Sequence, residues 1–280
     1  MAREVDALTS STLKHLRERW WDEAFTAFVR DTVQPRAGKQ ILDVGCGIGT
    51  AEVKLSRLRL SQMKLVGVDL LLERIREAYA AVRSHNIRVE FAVADACALP
   101  FGESSFDAVF CVAVLQHLRE PEQAVREFAR VTRPGGRIVA VEPDNSARYF
   151  YSSVDAGRRA YETAGRFFGA LARSRGEAAD LAVGPKLPAL FASIGIEPLD
   201  VQLFPVSRSQ LGAPPPAIWA DRRAAVEQAM DKAPGDEIRD LGREYLSSLE
   251  RYAAEAKSAG TGFVEIQHTM LFATVGQREG

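Results

Sequence analysis

Asp43, Asp69 and Asp95 each stand at or just past the end of a short apolar run, and Gly45, Gly47 and Gly49 take three of the five positions after Val44. A loop that bare lets backbone N–H groups approach a ligand closely, because no side chains intervene. The carboxylates limit what the ligand can be. Asp69, closing Val66-Gly67-Val68-Asp69, can accept hydrogen bonds from both hydroxyls of a ribose. Asp95 can accept from the exocyclic amine of an adenine while the N–H of Ala96 donates to the ring. Asp43, beside the loop, attracts a cation such as an α-amino group and repels a pyrophosphate. Singly, an Asp after a strand is also a common helix N-cap, and a glycine turn a common strand-to-helix connection. The signal lies in the combination.

Proton-handling candidates are fewer. His117, in Val114-Leu115-Gln116-His117-Leu118, is the best placed of the four histidines to take a proton, and its alternative role is to cap or pack the next helix. Glu142 and Asp144, in Val141-Glu142-Pro143-Asp144-Asn145, point toward the same region, and either can instead bind neighbouring backbone. Cys46, Cys97 and Cys111 are odd in number and lack metal-ligand spacing, so they read as small core residues in a reducing compartment, and no metal is expected.

These residues need elements to hold them. Strand-like runs at Gln40–Val44, Lys64–Asp69, Arg88–Val93, Phe106–Val112 and Arg137–Glu142 alternate with helix-period stretches, which predicts a parallel sheet covered on both faces. Between the last two runs an amphipathic helix carries Ala124, Val125, Phe128 and Val131 on one stripe and ends at Pro134-Gly135-Gly136. Residues 1–37 read as a helical cap, with a helix from Ser11 to Val33 and Trp20 and Trp21 in its core. Residues 38–145 form the binding core and 146–185 a helical cover whose arginines (148, 158, 159, 166, 173 and 175) either meet an acidic acceptor or line a solvated face. Residues 186–280 complete the sheet with strands at Ile196–Phe204 and Val264–Val275, interrupted by a helical insertion over 207–262, one domain in all.

Bulk properties narrow the classes. A hydrophobic share of 46% over 280 residues supports a sizeable core, and 36 basic against 37 acidic side chains leave a formal charge of −1. No global field draws the chain to nucleic acid or an anionic membrane. The charged N-terminus lacks an apolar signal-peptide core and the run Ala108–Leu115 is too short to span a bilayer, so cytoplasm is the expected location.

Taken in order, the motifs resemble the class I S-adenosylmethionine-dependent methyltransferases of the Rossmann-like superfamily. The matching pieces are Asp43 to Gly49, Val66 to Asp69, Ala94 to Phe101, Ser105 to Val109 and Arg133 to Gly136, closely over residues 38–142. The resemblance implies an α/β fold: a seven-stranded, mostly parallel, doubly wound sheet with an antiparallel last strand, plus helical insertions. It implies S-adenosyl-L-methionine across the strand ends, held by Asp43, Gly45, Gly47, Gly49, Asp69, Leu70, Asp95, Ala96 and Val112, with His117 and Glu142 as catalytic candidates. The expected reaction moves a methyl group to an O, N or C acceptor, on a small molecule since no Asn/Asp-Pro-Pro-Tyr/Phe tetrapeptide or RNA-binding module is present. Two rivals stand beside it: a protein that binds this nucleoside without turnover, and an NAD-dependent oxidoreductase. Against the second, the sixth position counted from Gly45 is Thr50 where that fingerprint wants glycine.

Overall fold

A computed structural model describes residues 20–34, 38–56, 63–85, 89–174 and 182–280 of the chain. Among the described residues, β1 (Gln40–Val44), β2 (Lys64–Asp69), β3 (Glu90–Val93), β4 (Phe106–Val112), β5 (Thr132–Ser152), β6 (Ile196–Leu211) and β7 (Val264–Arg278) form one sheet in the order β3-β2-β1-β4-β5-β7-β6. The first five pair in parallel, with Asp43 of β1 opposite Gly67 on one side and Phe110 on the other. β7 runs against them. Gln277 donates to the Gly135 carbonyl near the start of β5 (3.0 Å), whereas the Ser153 N–H reaches the Val264 carbonyl beyond its end (2.9 Å).

The centre of the sheet is buried because its sequence there is apolar on both faces. Neighbours Ile41 and Leu42 on β1, and Val109, Phe110 and Cys111 on β4, are all almost fully buried although successive side chains point to opposite faces. Among the described residues the helices are α1 (Glu23–Val33), α2 (Thr50–Ser56), α3 (Leu72–Ser84), α4 (Pro121–Val131), α5 (Asp155–Ser174), α6 (Val183–Ser193), α7 (Pro216–Asp231) and α8 (Asp236–Ala259), with a 3₁₀ turn at Leu115–His117 and another at Gly260–Gly262. α4 forms as its pattern predicts. Pro121 opens its first turn, where no N–H is needed, and Ala124, Val125, Phe128 and Val131 bury the stripe against the sheet core.

Contacts gather the chain into two compact units. The first takes the described residues within Met1–Ser146, Asp180–Phe204 and Met270–Gly280, and the second those within Ala147–Ala179 and Pro205–Thr269. The core of the first includes Leu42, Val68, Val109, Phe128, Ile138 and Phe191. In the second, α5, α7 and α8 enclose two smaller clusters, around Tyr252 and Phe263 and around Phe167 and Val226. A buried polar network joins its helices to β7: Arg222 holds Glu265 through both nitrogens (3.1 and 2.9 Å), and the Tyr252 hydroxyl donates to the same carboxylate (2.6 Å).

Several boundaries differ from those the sequence suggests. The helix expected from Ser11 to Val33 is broken at Trp21 and Asp22: the Asp22 side chain caps a new helix by accepting from the Phe25 N–H (2.8 Å), while residues 1–19 lie outside the described set. β5 begins at Thr132 and continues to Ser152, through residues expected to start the helical cover. Its Pro134-Gly135-Gly136 turn survives as a bulge, because Thr132 pairs with Phe106 and Arg137 with Ala108. Tyr149, Phe150 and Tyr151 are strand residues, with the two tyrosines exposed and Phe150 packed inward, a period of two in place of 3.6. β3 starts at Glu90, with 86–88 outside the described residues, and β6 and β7 run on to Leu211 and Arg278.

Candidate active site

The loop after β1 is tied to β2 before it meets anything else. The N–H groups of Gly45 and Cys46 both donate to the Val68 carbonyl (2.7 and 2.9 Å), which folds the chain back over the strand end. Its glycines are required for different reasons. A Cβ at Gly45 would collide with the Val114 side chain, and one at Gly49 would press on the backbone of Ala78 in α3 at 3.1 Å. At Gly47, where φ is +56°, a Cβ would meet nothing within 4 Å. Gly47 faces open space, and that space is the mouth of a cleft bounded by Asp43, Val112, Cys46 and Trp21.

Asp69 fastens this loop from the side. Its carboxylate, 8% exposed, accepts from the Gly47 N–H and from the Leu71 N–H (3.0 Å each), and Leu70 between them is exposed. One strand further on, the Ala94 N–H donates to the Asp69 carbonyl (3.0 Å), bringing the Asp95 segment alongside. Asp95 is exposed and accepts from the Cys97 N–H (2.9 Å), while Ala96 is buried. Sequence reading missed what holds that segment. Glu127 accepts from the Leu99 N–H (2.8 Å), and Arg130 donates to the carbonyls of Leu99 (3.0 Å) and Phe101 (2.7 Å). A Glu-x-x-Arg pair on α4 was the available signal.

Beyond β4 the backbone turns sharply. Ala113 has φ +54°, a left-handed conformation that L side chains seldom adopt, and its N–H donates to the Val141 carbonyl (2.8 Å). The turn aims three N–H groups at one side chain: Glu142, fully buried, accepts from Val114 and Leu115 (2.7 Å each) and from Gln116 at 3.4 Å. Glu142 therefore binds backbone and caps the 3₁₀ turn that presents His117, which is exposed. Asn145 donates to the Gln116 side chain (2.8 Å), and Asp144 accepts from the N–H and hydroxyl of Ser146 (2.9 and 2.6 Å).

The structure thus brings Asp43, Gly45, Gly47 and Val112 to one cleft, joins Asp69 to it through Gly47, and sets Asp95 and Ala96 one strand away. Gly49 serves helix packing. Trp21, read from sequence as core, is buried and also lines the cleft. Glu52 drew no attention as a sequence feature. It is fully buried in the first turn of α2, and burial, with the nearby charge of Asp69, pushes its carboxyl up to about 7. Of the cover arginines, Arg166 pairs with Glu244 on α8, and Arg175 lies outside the described residues.

A cleft at the carboxyl ends of β1 and β4, where the strand order reverses, is where open α/β sheets bind ligands. Parts of the chain also resemble known proteins. Residues 42–140 match the family described as methyltransferase domain. Methyltransferase GfsG of Streptomyces halstedii is 34% identical over 122 residues, which cover 43% of this chain and 43% of that protein. The ubiquinone/menaquinone biosynthesis C-methyltransferase UbiE of Hahella chejuensis is 36% identical over 117 residues, 41% of this chain and 47% of its own. The chain spans about half the length of these curated relatives. A solved phosphoethanolamine N-methyltransferase 2 of Haemonchus contortus, in complex with S-adenosyl-L-methionine, superposes with a TM-score of 0.53 at 18% identity, over 97% of this chain and 58% of that one; this likeness speaks to fold.

Proposed function

We propose that this chain, whose residues 42–140 match the family described as methyltransferase domain, moves the methyl group of S-adenosyl-L-methionine to an O, N or C acceptor on a small molecule. The observation that carries the reading is the open cradle over Gly47, walled by Asp43 and joined to Asp69 at the point where the sheet order reverses. A carboxylate beside the loop suits an ammonium or sulfonium and disfavours a pyrophosphate, so the residues present fit this cofactor and argue against NAD.

Asp69 keeps acceptor capacity for ribose hydroxyls, since each carboxylate oxygen has taken only one of the N–H bonds found here. The Asp95 segment would supply the adenine contacts, and Leu70 would help hold the ribose. When bound, S-adenosylmethionine supplies a methyl group already activated by its sulfonium. The chain has to align the acceptor, exclude water and take a proton where the acceptor carries one. Glu142 fixes the 3₁₀ turn through its three N–H bonds, and His117 on that turn is the group we assign to proton removal.

A small-molecule acceptor is favoured because the related UbiE is named for quinone biosynthesis, and because the charge balance of this chain lacks a nucleic-acid footprint. Among the described residues no helix is long and apolar enough to cross a membrane. We place the enzyme in the cytoplasm, on an odd number of cysteines that lie in or beside apolar segments. The family match covers residues 42–140, and we assign the choice of acceptor to the segments outside it. Release of S-adenosylhomocysteine across a panel of hydroxyl, amine and activated-carbon small molecules tests the reading. Turnover with one class supports it. Cofactor binding with no turnover across the panel leaves a binding protein, and NAD binding in its place refutes the assignment.

A further inference from the structure

Glu52 is buried completely, and apart from its own backbone N–H and the Asp43 carboxyl no donor among the described residues engages its carboxyl oxygens. One oxygen lies over Gly67 of β2, where a Cβ would come within 2.7 Å of it, and the edge of the Phe91 ring from β3 closes the same space. Its polar neighbours are acidic. The Asp43 carboxyl on β1 is in contact with it, 3% exposed, and Asp69 on β2 adds a further negative charge. Cys46 of the loop lies in the same field, its thiol pushed far up by burial and by these three acids. α3 packs against α2 with Ile75 and Ala78 on its buried face, and Lys54, in the last turn of α2, gives its ammonium to the Trp21 carbonyl (3.1 Å).

Two carboxyl groups in contact in a dry interior do not both ionise, because the repulsion of their charges is unscreened there. A proton between them converts repulsion into a hydrogen bond across the pair. Asp69 is the wrong holder for that proton, since both its oxygens already receive backbone N–H bonds. The place of this pair matters: Asp43 is at once the partner of Glu52 and a wall of the cleft.

Resting on the reading of the cleft as the seat of S-adenosylmethionine, we propose that Glu52 and Asp43 share one proton in the free protein and release it when a ligand cation settles beside Asp43. In that step the O–H bond within the Glu52–Asp43 pair breaks, its electron pair stays on the carboxylate and the proton passes to the buffer. The ligand cation replaces the proton as the charge that keeps the acidic pair together. Glu52 is thus a positioning residue that makes affinity depend on the ligand's positive charge. Burial of its carboxyl places the exchange near neutral pH, where it is physiologically felt.

Calorimetry in two buffers of different ionisation enthalpy counts the protons. The probes are S-adenosylhomocysteine, which carries an ammonium, and 5′-methylthioadenosine, the same kind of nucleoside thioether without the amino acid. At pH 6 the first should release close to one proton per site and gain about three- to tenfold in affinity between pH 6 and 7, the limit for one linked proton being about tenfold. The second should release none. Glu52→Gln should bind S-adenosylhomocysteine with no proton release and a flat pH profile. If that variant does not fold, infrared difference spectra of the wild-type protein decide: a protonated carboxyl band should vanish on adding S-adenosylhomocysteine. Wild-type binding without proton release, equal release by Glu52→Gln, or a carboxyl band that is absent or persists, each overturns the proposal while leaving the cofactor reading standing. Failure of both nucleosides to bind overturns the reading and the proposal together.

Discussion

Gly47 and Gly45 sit two positions apart in different surroundings, one facing open space at the cleft and the other with the Val114 side chain pressed against it. Gly47→Val should therefore remove cofactor binding by filling the cradle, with some loss of stability from a β-branched residue at φ +56°. Asp69→Ala should weaken S-adenosylhomocysteine binding by about 1.5–3 kcal/mol, the range for hydrogen bonds to a charged group, and loosen the loop by freeing the Gly47 N–H. Isothermal titration of both variants, with circular dichroism to confirm folding, checks these. His117 is the residue on which chemistry and structure diverge: if it takes the acceptor's proton, His117→Ala should lower kcat by about 10²–10⁴ with cofactor affinity unchanged. Intact kcat in that variant would show that alignment alone suffices. The glycines and aspartates were legible because each breaks a local pattern, a bare loop or a charge ending an apolar run. Glu142 was legible as a candidate, and its three N–H partners were not, since they come from residues 26–28 positions earlier. Glu52 looked like an ordinary acid in the first turn of a helix, where such charges are common. Only the fold places it over Gly67.

α4 shows how an element far from the chemistry can serve it. Its apolar stripe seats it on the sheet, and its polar edge sends Glu127 and Arg130 to pin residues 99–101 beside Asp95. Phe128→Ala should cost about 3–5 kcal/mol, as for other fully buried aromatics, with a lower urea midpoint. Arg130→Ala should act differently. It leaves the stripe intact and releases two carbonyls, so adenosine affinity should fall by more than stability does, measured on the same two instruments. Parallel strands β1, β2 and β4 were readable to the residue because continuous apolar runs bounded by charge or glycine leave little freedom in their limits. The break at Trp21 and Asp22 was hidden because a helix-period stripe runs through it, and the cap depends on one side-chain bond. The length of β5 was hidden for another reason: Tyr149 to Tyr151 suit either period until partners on another strand choose between them.

Across the molecule the two compact units divide the sequence by how readable it is. The unit that contains the matched family segment could be read from motifs, whereas the other, from Ala147 to Ala179 and Pro205 to Thr269, offers helices and a buried Arg222–Glu265 pair without a motif that names a ligand. Burial of Glu52 also has a global consequence. Its carboxyl stands higher in the folded than in the unfolded chain, so the stability it contributes is full below about 4.5 and is lost as pH rises through about 7. The ligand-free protein should thus lose on the order of 2–3 kcal/mol between pH 5 and 8 that Glu52→Gln does not lose, read from urea unfolding at each pH. Everything else depends on what occupies the cleft over Gly47. Calorimetric titration of the wild-type protein with S-adenosylmethionine, and separately with NAD, tests that most directly. The account predicts one S-adenosylmethionine bound per chain, abolished by Gly47→Val, and no heat from NAD. NAD binding without a response to S-adenosylmethionine would contradict it.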